Sequence, residues 1–398
     1  MSIPVGTTAE GTQFFGRARE LCDFWDLLDS NHVVLSGPRR LGKTSLLKRL
    51  VKDAPDQGWH AVLVDLQGHS RIEDVLAELE RSLPNSKITS WLAAARKSVG
   101  RAAERIKKVE LKMPGGFGGA LDLQAPPTTA WSAQARQLQT RLSAQPVLIL
   151  IDEFSVFLEK LINKDRGGAE HLLGWLRTWR CANNIQCRFV FSGSIGINSL
   201  LTRHKLTTYS NDCYDFRLQP FSRAEAMAMV RAELQAQARP FAPEVPEHLC
   251  ERVGWLSPFY VNLLLLESLR AVRDREAEQG LQATPMQVGD VDDGYQRLLA
   301  VRSRFIHWAQ RLERDVAPQE LPLVLKVLAC VAGKPEGLSH KQLQARLHAI
   351  EPEPDARARR LESALWQLEE DGYLSTDGGR VQFLSFLLRD YWQGNHGR

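Results

Sequence analysis

Two short stretches of this chain carry side chains that could together manage a phosphorylated ligand. The first is Gly37-Pro-Arg-Arg-Leu-Gly42-Lys43-Thr44-Ser45, which fits the spacing G-x-x-x-x-G-K-[ST] at every position. Gly37 and Gly42 let backbone N–H groups curl around a phosphate without a Cβ clash, with Pro38, Arg39, Arg40 and Leu41 spanning the curve. Lys43 can reach β- and γ-phosphates and the Thr44 hydroxyl can ligand Mg2+, while a helix opening through Ser45 adds a favourable partial charge. The second stretch is Pro146-Val-Leu-Ile-Leu-Ile151-Asp152-Glu153. An apolar strand there delivers Asp152 to its C-terminal edge, where α/β sheets place their ligands. Asp152 is expected to hold the metal through water, and Glu153 to orient and deprotonate an attacking water.

An apolar run ending in Asp-Glu is a weak signal by itself, because strands often end in solvated carboxylates. Its order after the phosphate-binding spacing is what gives it weight. Together the two stretches predict binding of Mg-ATP and its hydrolysis. A third run, Arg188-Phe-Val-Phe-Ser192-Gly193-Ser194, ends in small polar residues. Either Ser192 or Ser194 could sense the γ-phosphate or the lytic water, although serines at a strand end are also ordinary turn formers.

These residues need a frame. Residues 13–218 alternate short, β-branched apolar runs with helical patterns, which predicts an α/β domain with a mainly parallel sheet. The candidate strands are 32–36, 61–66, 146–151, 188–192 and 214–218, nearly continuous apolar runs of the kind covered on both faces. Residues 1–12 read as a loose polar lead-in. Residues 219–314 read as a helical subdomain, with Ser222 as an N-cap and Glu225 closing a capping box. A linker is expected over 315–322. Residues 322–398 then read as helix, turn, helix, long helix and a strand–turn–strand, the pattern of a winged helix. Within the core, residues 96–112 hold seven basic residues against two acidic ones, and a Gly-rich break follows up to Pro126-Pro127. This insertion, about 96–127, is either a solvated helix with a loop or a contact arm for nucleic acid or a partner.

Composition excludes several classes. The chain has 398 residues, 43% hydrophobic and 25% charged, with a net charge of only +4, so no whole-chain field demands a polyanion. No apolar run approaches membrane-spanning length and no secretory signal opens the chain, which predicts a cytoplasmic protein without a membrane partner. Six cysteines without a C-x-x-C pair read as reduced thiols, and dispersed histidines argue against a metal held wholly by protein side chains.

With these residues in hand, the chain resembles the STAND-like, archaeal-type P-loop ATPase family of the AAA+/STAND branch, over about residues 13–392. Phe14-Phe15-Gly16-Arg17 with Glu20-Leu21 is similar to that family's F-x-G-R-x-x-E-L box, and Gly37-Pro-Arg-Arg-Leu-Gly-Lys-Thr-Ser-Leu to its phosphate loop. Phe191-Ser-Gly-Ser-Ile-Gly resembles its fourth-strand sensor segment. Gly254-Trp-Leu-Ser-Pro258-Phe-Tyr-Val-Asn resembles its lid motif, departing from it in having Ser257 before the proline, and Phe386-Leu-Leu-Arg-Asp-Tyr-Trp resembles the end of its winged helix. The resemblance implies a P-loop parallel-sheet core with a helical lid and a C-terminal winged helix. It places Phe15, Gly16 and Arg17 near the adenine and Pro258 closing over it. It leaves Arg203 and Arg217 as candidates for an arginine finger.

The resemblance implies an ATP-dependent switch that controls assembly, a homo-oligomer or a protein partner, in bacterial defence, transposition or regulation. Two alternatives stand beside it: a DNA-binding ATPase resembling replication initiators or transposition loaders, and a nucleotide-stabilised scaffold with negligible turnover. DNA could be met by Arg357, Arg359 and Arg360 or by the basic insertion. Residues 336–398 carry eight basic residues against ten acidic ones, however, and a groove-reading module is normally basic on its reading face.

Overall fold

The computed structural model describes residue 3 and residues 5–83, 131–143, 145–183, 185–300 and 306–396. The insertion expected at 96–127 lies outside the described residues. Two compact units are present. One comprises Arg17–Ser36 and Lys43–Arg217, the other Met1–Gly16, Gly37–Gly42 and Leu218–Arg398.

The first unit is built on a five-stranded sheet in the order β2-β3-β4-β1-β5, every pair parallel. Its strands are β1 (His32–Ser36), β2 (His60–Asp65), β3 (Val147–Asp152), β4 (Arg188–Ser192) and β5 (Cys213–Arg217). All five expected strands form, with ends shifted by at most one residue. β3 is buried along its whole length, and the first four residues of β1 are buried too, which is why their sequences are unbroken apolar runs rather than alternating ones. Seven described helices accompany the sheet: α1 (Ala18–Leu28), α2 (Lys43–Asp53), α3 (Ile72–Ser82), α4 (Ser132–Ser143), α5 (Phe154–Lys164), α6 (Arg166–Arg180) and α7 (Ile197–Arg203). Leu, Val and aromatic side chains of α3, α4, α5, α6 and α7 pack on β2, β3 and β4 in one core that includes Trp179, Phe157 and Phe189.

Strand order positions the chemistry. From β1 the chain leaves toward β2, and from β4 it leaves toward β5, so two adjacent strands send their connections opposite ways. A crevice opens at the carboxyl ends of such a strand pair. Register brings the expected residues to that level, because Ile151 lies opposite Phe191 and Ser192 opposite Leu35. Asp152, Ser192 and Ser36 therefore lie along one edge of the sheet.

The second unit is mostly helical: α8 (Arg223–Ala236), α9 (Val245–Val253), α10 (Pro258–Gln279), α11 (Val288–Ala300), α12 (Ile306–Asp315), α13 (Leu321–Ala332), α14 (His340–Arg346), α15 (Pro354–Glu370) and α16 (Phe386–His396). Ser222 caps α8 and Glu225 completes the capping box that its spacing predicts. Pro322 falls in the first turn of α13, where a missing N–H costs nothing, rather than in the expected linker. A small antiparallel sheet, ordered β6-β8-β7, is made of β6 (Leu338–Ser339), β7 (Leu374–Ser375) and β8 (Arg380–Phe383). Near the N-terminus of the chain Ile3 is buried and Gly11–Gln13 form a single 3-10 turn. No helix among the described residues is long and apolar enough to cross a membrane, and all six cysteines are free.

Candidate phosphate-binding and carboxylate site

In the sheet unit, β3 ends on Asp152, and Glu153 follows in the left-handed region at φ 53° as the N-cap of α5. A non-glycine residue held there costs on the order of 1–3 kcal/mol and persists only where its surroundings fix it. Asp152 is 4% exposed. A carboxylate that deep needs hydrogen bonds to both oxygens. Oδ1 accepts from the Glu153 N–H at 3.0 Å and Oδ2 accepts from Thr44 Oγ1 at 2.7 Å. Thr44 occupies the first turn of α2, so that helix and the end of β3 bring a hydroxyl and a carboxylate together from positions 108 residues apart. Lys43, the first residue of α2, is buried as well. Ser45 is the next residue but one in that first turn.

Glu153 is held in turn by the segment after β4. Its Oε2 accepts from Ser194 Oγ at 2.7 Å and from the Ser194 N–H at 3.1 Å. Of the two serines singled out by sequence, Ser194 therefore meets the Asp-Glu pair directly. Ser192 does something different: it is fully buried, and its hydroxyl has no hydrogen-bond partner among the described residues. Ser36, at the end of β1, has a hydroxyl in the same state. Gly193 between the serines packs so closely that an added Cβ would lie 2.0 Å from Ser155 Oγ. Ser155, which sequence reading missed, accepts from the Ile195 N–H at 3.3 Å and helps fix this turn.

In the other unit, residues 37–42 adopt the conformation their glycines allow. Gly37 has φ +125° and Gly42 φ +93°, and a Cβ on Gly37 would sit 2.8 Å from the Leu218 carbonyl oxygen. Arg40 is left-handed as well, at φ 68°. Pro38 and Leu41 are buried, and Arg39 and Arg40 half-buried. Phe15 is half-buried, and Gly16 packs on Phe221, whose ring carbon would lie 3.2 Å from an added Cβ. Pro258 opens α10, preceded by a fully buried Ser257. Arg17, in the sheet unit, is buried and ion-paired to Glu20.

Some candidates are committed elsewhere. Arg203 pairs with Glu159 at 2.9 Å within its own unit, and Arg217 is an exposed residue at the end of edge strand β5. Arg357 donates to the carbonyls of Glu351 and Pro352, and Arg360 pairs with Glu320 and Glu351. Of that trio Arg359 alone is exposed.

Residues 28–201 match the model of an AAA domain. The sheet unit has the α/β fold of a P-loop NTPase core. No curated protein sequence matches the chain. Among solved structures the chain is similar to the Walker-type ATPase PABY2304 of Pyrococcus abyssi, with a TM-score of 0.64 and 16% identity over 99% of this chain and 100% of that one. It is also similar to the ORC2 protein of Aeropyrum pernix, with a TM-score of 0.52 and 12% identity over 100% and 98% of the two chains. At such identities the likeness is one of fold. In the P-loop core, the donors assembled from Thr44 and Asp152 are hard oxygens of the kind Mg2+ takes, and the hydroxyls of Ser36 and Ser192 are polar atoms buried without partners among the described residues.

Proposed function

We propose that this chain is an Mg-dependent ATPase that works as a nucleotide-controlled switch. The observation that carries the reading is the convergence of Thr44, Asp152, Glu153 and Ser194 in a single hydrogen-bonded run at the carboxyl edge of a parallel sheet. Backbone N–H groups of residues 37–42 and the Lys43 ammonium hold the phosphates. Thr44 and Asp152 would hold Mg2+, which when bound neutralises charge on the phosphate oxygens. Glu153 takes the proton of the attacking water on Oε1, since Oε2 is engaged by Ser194. Ser194 thus acts by fixing the orientation of the base. Phe15, Gly16, Arg17 and Pro258 are assigned to the adenine end.

Residues 219–314 serve in this reading as a lid and residues 322–398 as a winged helix, two elements whose arrangement the nucleotide biases. The output is self-association or contact with a protein partner in the cytoplasm, in defence, transposition or regulation. A second reading, a DNA-binding ATPase, draws on the fold likeness to the ORC2 protein. The internal commitments of Arg357 and Arg360 weigh against DNA contact through α15.

Nucleotide linkage tests the assignment. Mg-ATP at about 100 times its Kd is expected to stabilise the parent by roughly 2.7 kcal/mol, read as a rise in Tm. Lys43→Ala is expected to lose that rise. A Lys43→Ala protein stabilised as much as the parent would refute the phosphate-loop assignment.

A further inference from the structure

The phosphate-loop segment belongs to the same compact unit as the helical C-terminal segment, and the contacts that place it there are specific. Arg40 is the centre of them. Its carbonyl accepts from Ser257 Oγ at 2.7 Å, and its guanidinium lies 3.7 Å from the centroid of the Phe259 ring and 5.8 Å from that of Trp308. Ser257 is the N-cap of α10, a position where serine ordinarily accepts from the backbone of the first turn. Here it makes no such capping bond and donates to Arg40 instead. The left-handed φ of Arg40 is an unfavourable conformation for a non-glycine residue, and the Ser257 bond and the Phe259 stack are among the contacts that hold it. Two residues earlier, Pro38 packs so tightly on Gly372 that a Cβ there would lie 2.7 Å from the proline Cβ.

The Phe259 ring is itself anchored. It meets Tyr260 edge-on at 5.3 Å, Tyr260 stacks on Trp308 at 6.2 Å, and Trp308 meets Tyr373 edge-on at 4.8 Å. Tyr373 donates its hydroxyl to the Trp308 carbonyl at 2.9 Å, and it lies between Gly372 and β7. Preorganised rings of this kind supply a cation–π site with little motion of their own.

We infer that Ser257 and Phe259 are positioning residues for the phosphate loop, acting through Arg40: they hold the loop in its phosphate-binding curve without touching the nucleotide. The inference rests on the reading of residues 37–44 as the phosphate loop. It makes the loop's shape a property of α10 and the aromatic chain behind it, so a change in that chain alters nucleotide affinity from outside the site.

A double-mutant cycle on the full chain tests this, with Mg-ATP binding measured by calorimetry and the nucleotide-free Tm measured alongside. Phe259→Ala and Arg40→Ala are each expected to weaken Mg-ATP about tenfold, the scale of one partly buried cation–π contact. The double variant is expected to lose no more than Arg40→Ala alone, because that substitution already removes the contact with Phe259. Phe259→Tyr, which keeps the ring, is expected to bind within about twofold of the parent, and Ser257→Thr to bind more tightly than Ser257→Ala. Parent-like affinity in Phe259→Ala, or losses that multiply in the double variant, would overturn the inference. If Phe259→Ala does not fold, the same comparison runs through Arg40→Ala and Ser257→Ala, where parent-like affinity in both is the overturning result. Lys43→Ala serves as the separate arm: parent-like Mg-ATP affinity there would overturn the phosphate-loop reading itself.

Discussion

His32 opens β1, the strand that runs up to the phosphate loop, and it is buried with both ring nitrogens occupied. Nδ1 accepts the Phe189 N–H at 3.1 Å, which leaves Nε2–H to donate to the Arg180 carbonyl at 3.2 Å. That pairing requires the neutral ring. Burial is the main force pushing its pKa down, from 6.5 to about 4; the nearby Arg180 and Arg188 add to it, while the bond to the Arg180 carbonyl and Asp212 oppose it. The unfolded chain binds a proton near pH 6.5 that the folded chain refuses until about pH 4. Stability is therefore complete above the unfolded value and is lost as pH falls through this window. The shift corresponds to roughly 3 kcal/mol in full, of which about 2 kcal/mol is gone by about pH 5. Urea unfolding of the parent and of His32→Gln at about pH 7.5 and 5 isolates this contribution, since glutamine keeps a donor and an acceptor but does not titrate. The variant is expected to lose about 2 kcal/mol less than the parent on acidification. Equal losses in the two proteins would refute the argument, and would mean that His32 is not what makes β1 acid-sensitive.

Two further outcomes follow from the site. Ser194→Ala deletes the 2.7 Å bond to Glu153 Oε2 but leaves the backbone N–H bond, so kcat is expected to fall about tenfold with Mg-ATP affinity within about twofold of the parent; an unchanged kcat would remove Ser194 from the mechanism. Light scattering of Glu153→Gln is expected to show a higher mass with Mg-ATP than with Mg-ADP. Full conversion between two states from 1:99 to 99:1 needs about 5.5 kcal/mol of differential affinity, so a partial shift is the expected size. Identical masses would favour a nucleotide-stabilised scaffold.

The parts of this molecule written locally were legible in its sequence. β1, β3 and β4 are apolar runs because the sheet is covered on both faces, and Gly37 and Gly42 carry their conformational reasons with them. The capping box at Ser222 was likewise readable, because N-cap and N3 are three residues apart. What escaped was written across distance. Nothing near Arg40 announces that Ser257 and Phe259, more than two hundred residues later, will meet its carbonyl and guanidinium. A cluster of Arg357, Arg359 and Arg360 reads as a basic patch until Glu320 and Glu351 are seen to claim Arg360. The choice between Ser192 and Ser194 also turned on Glu153, since Ser192 ends β4, Ser194 lies two residues beyond it, and only Ser194 meets that carboxylate.

The central claim is that Glu153 is the base of an ATP-hydrolysing site whose binding is set by other residues. Phosphate release under saturating Mg-ATP, measured for the parent and for Glu153→Gln alongside the Mg-ATP Kd of each, tests it most directly. Turnover is expected to fall roughly 10²–10⁴-fold with Kd within about threefold of the parent. Parent-level phosphate release by Glu153→Gln would contradict it.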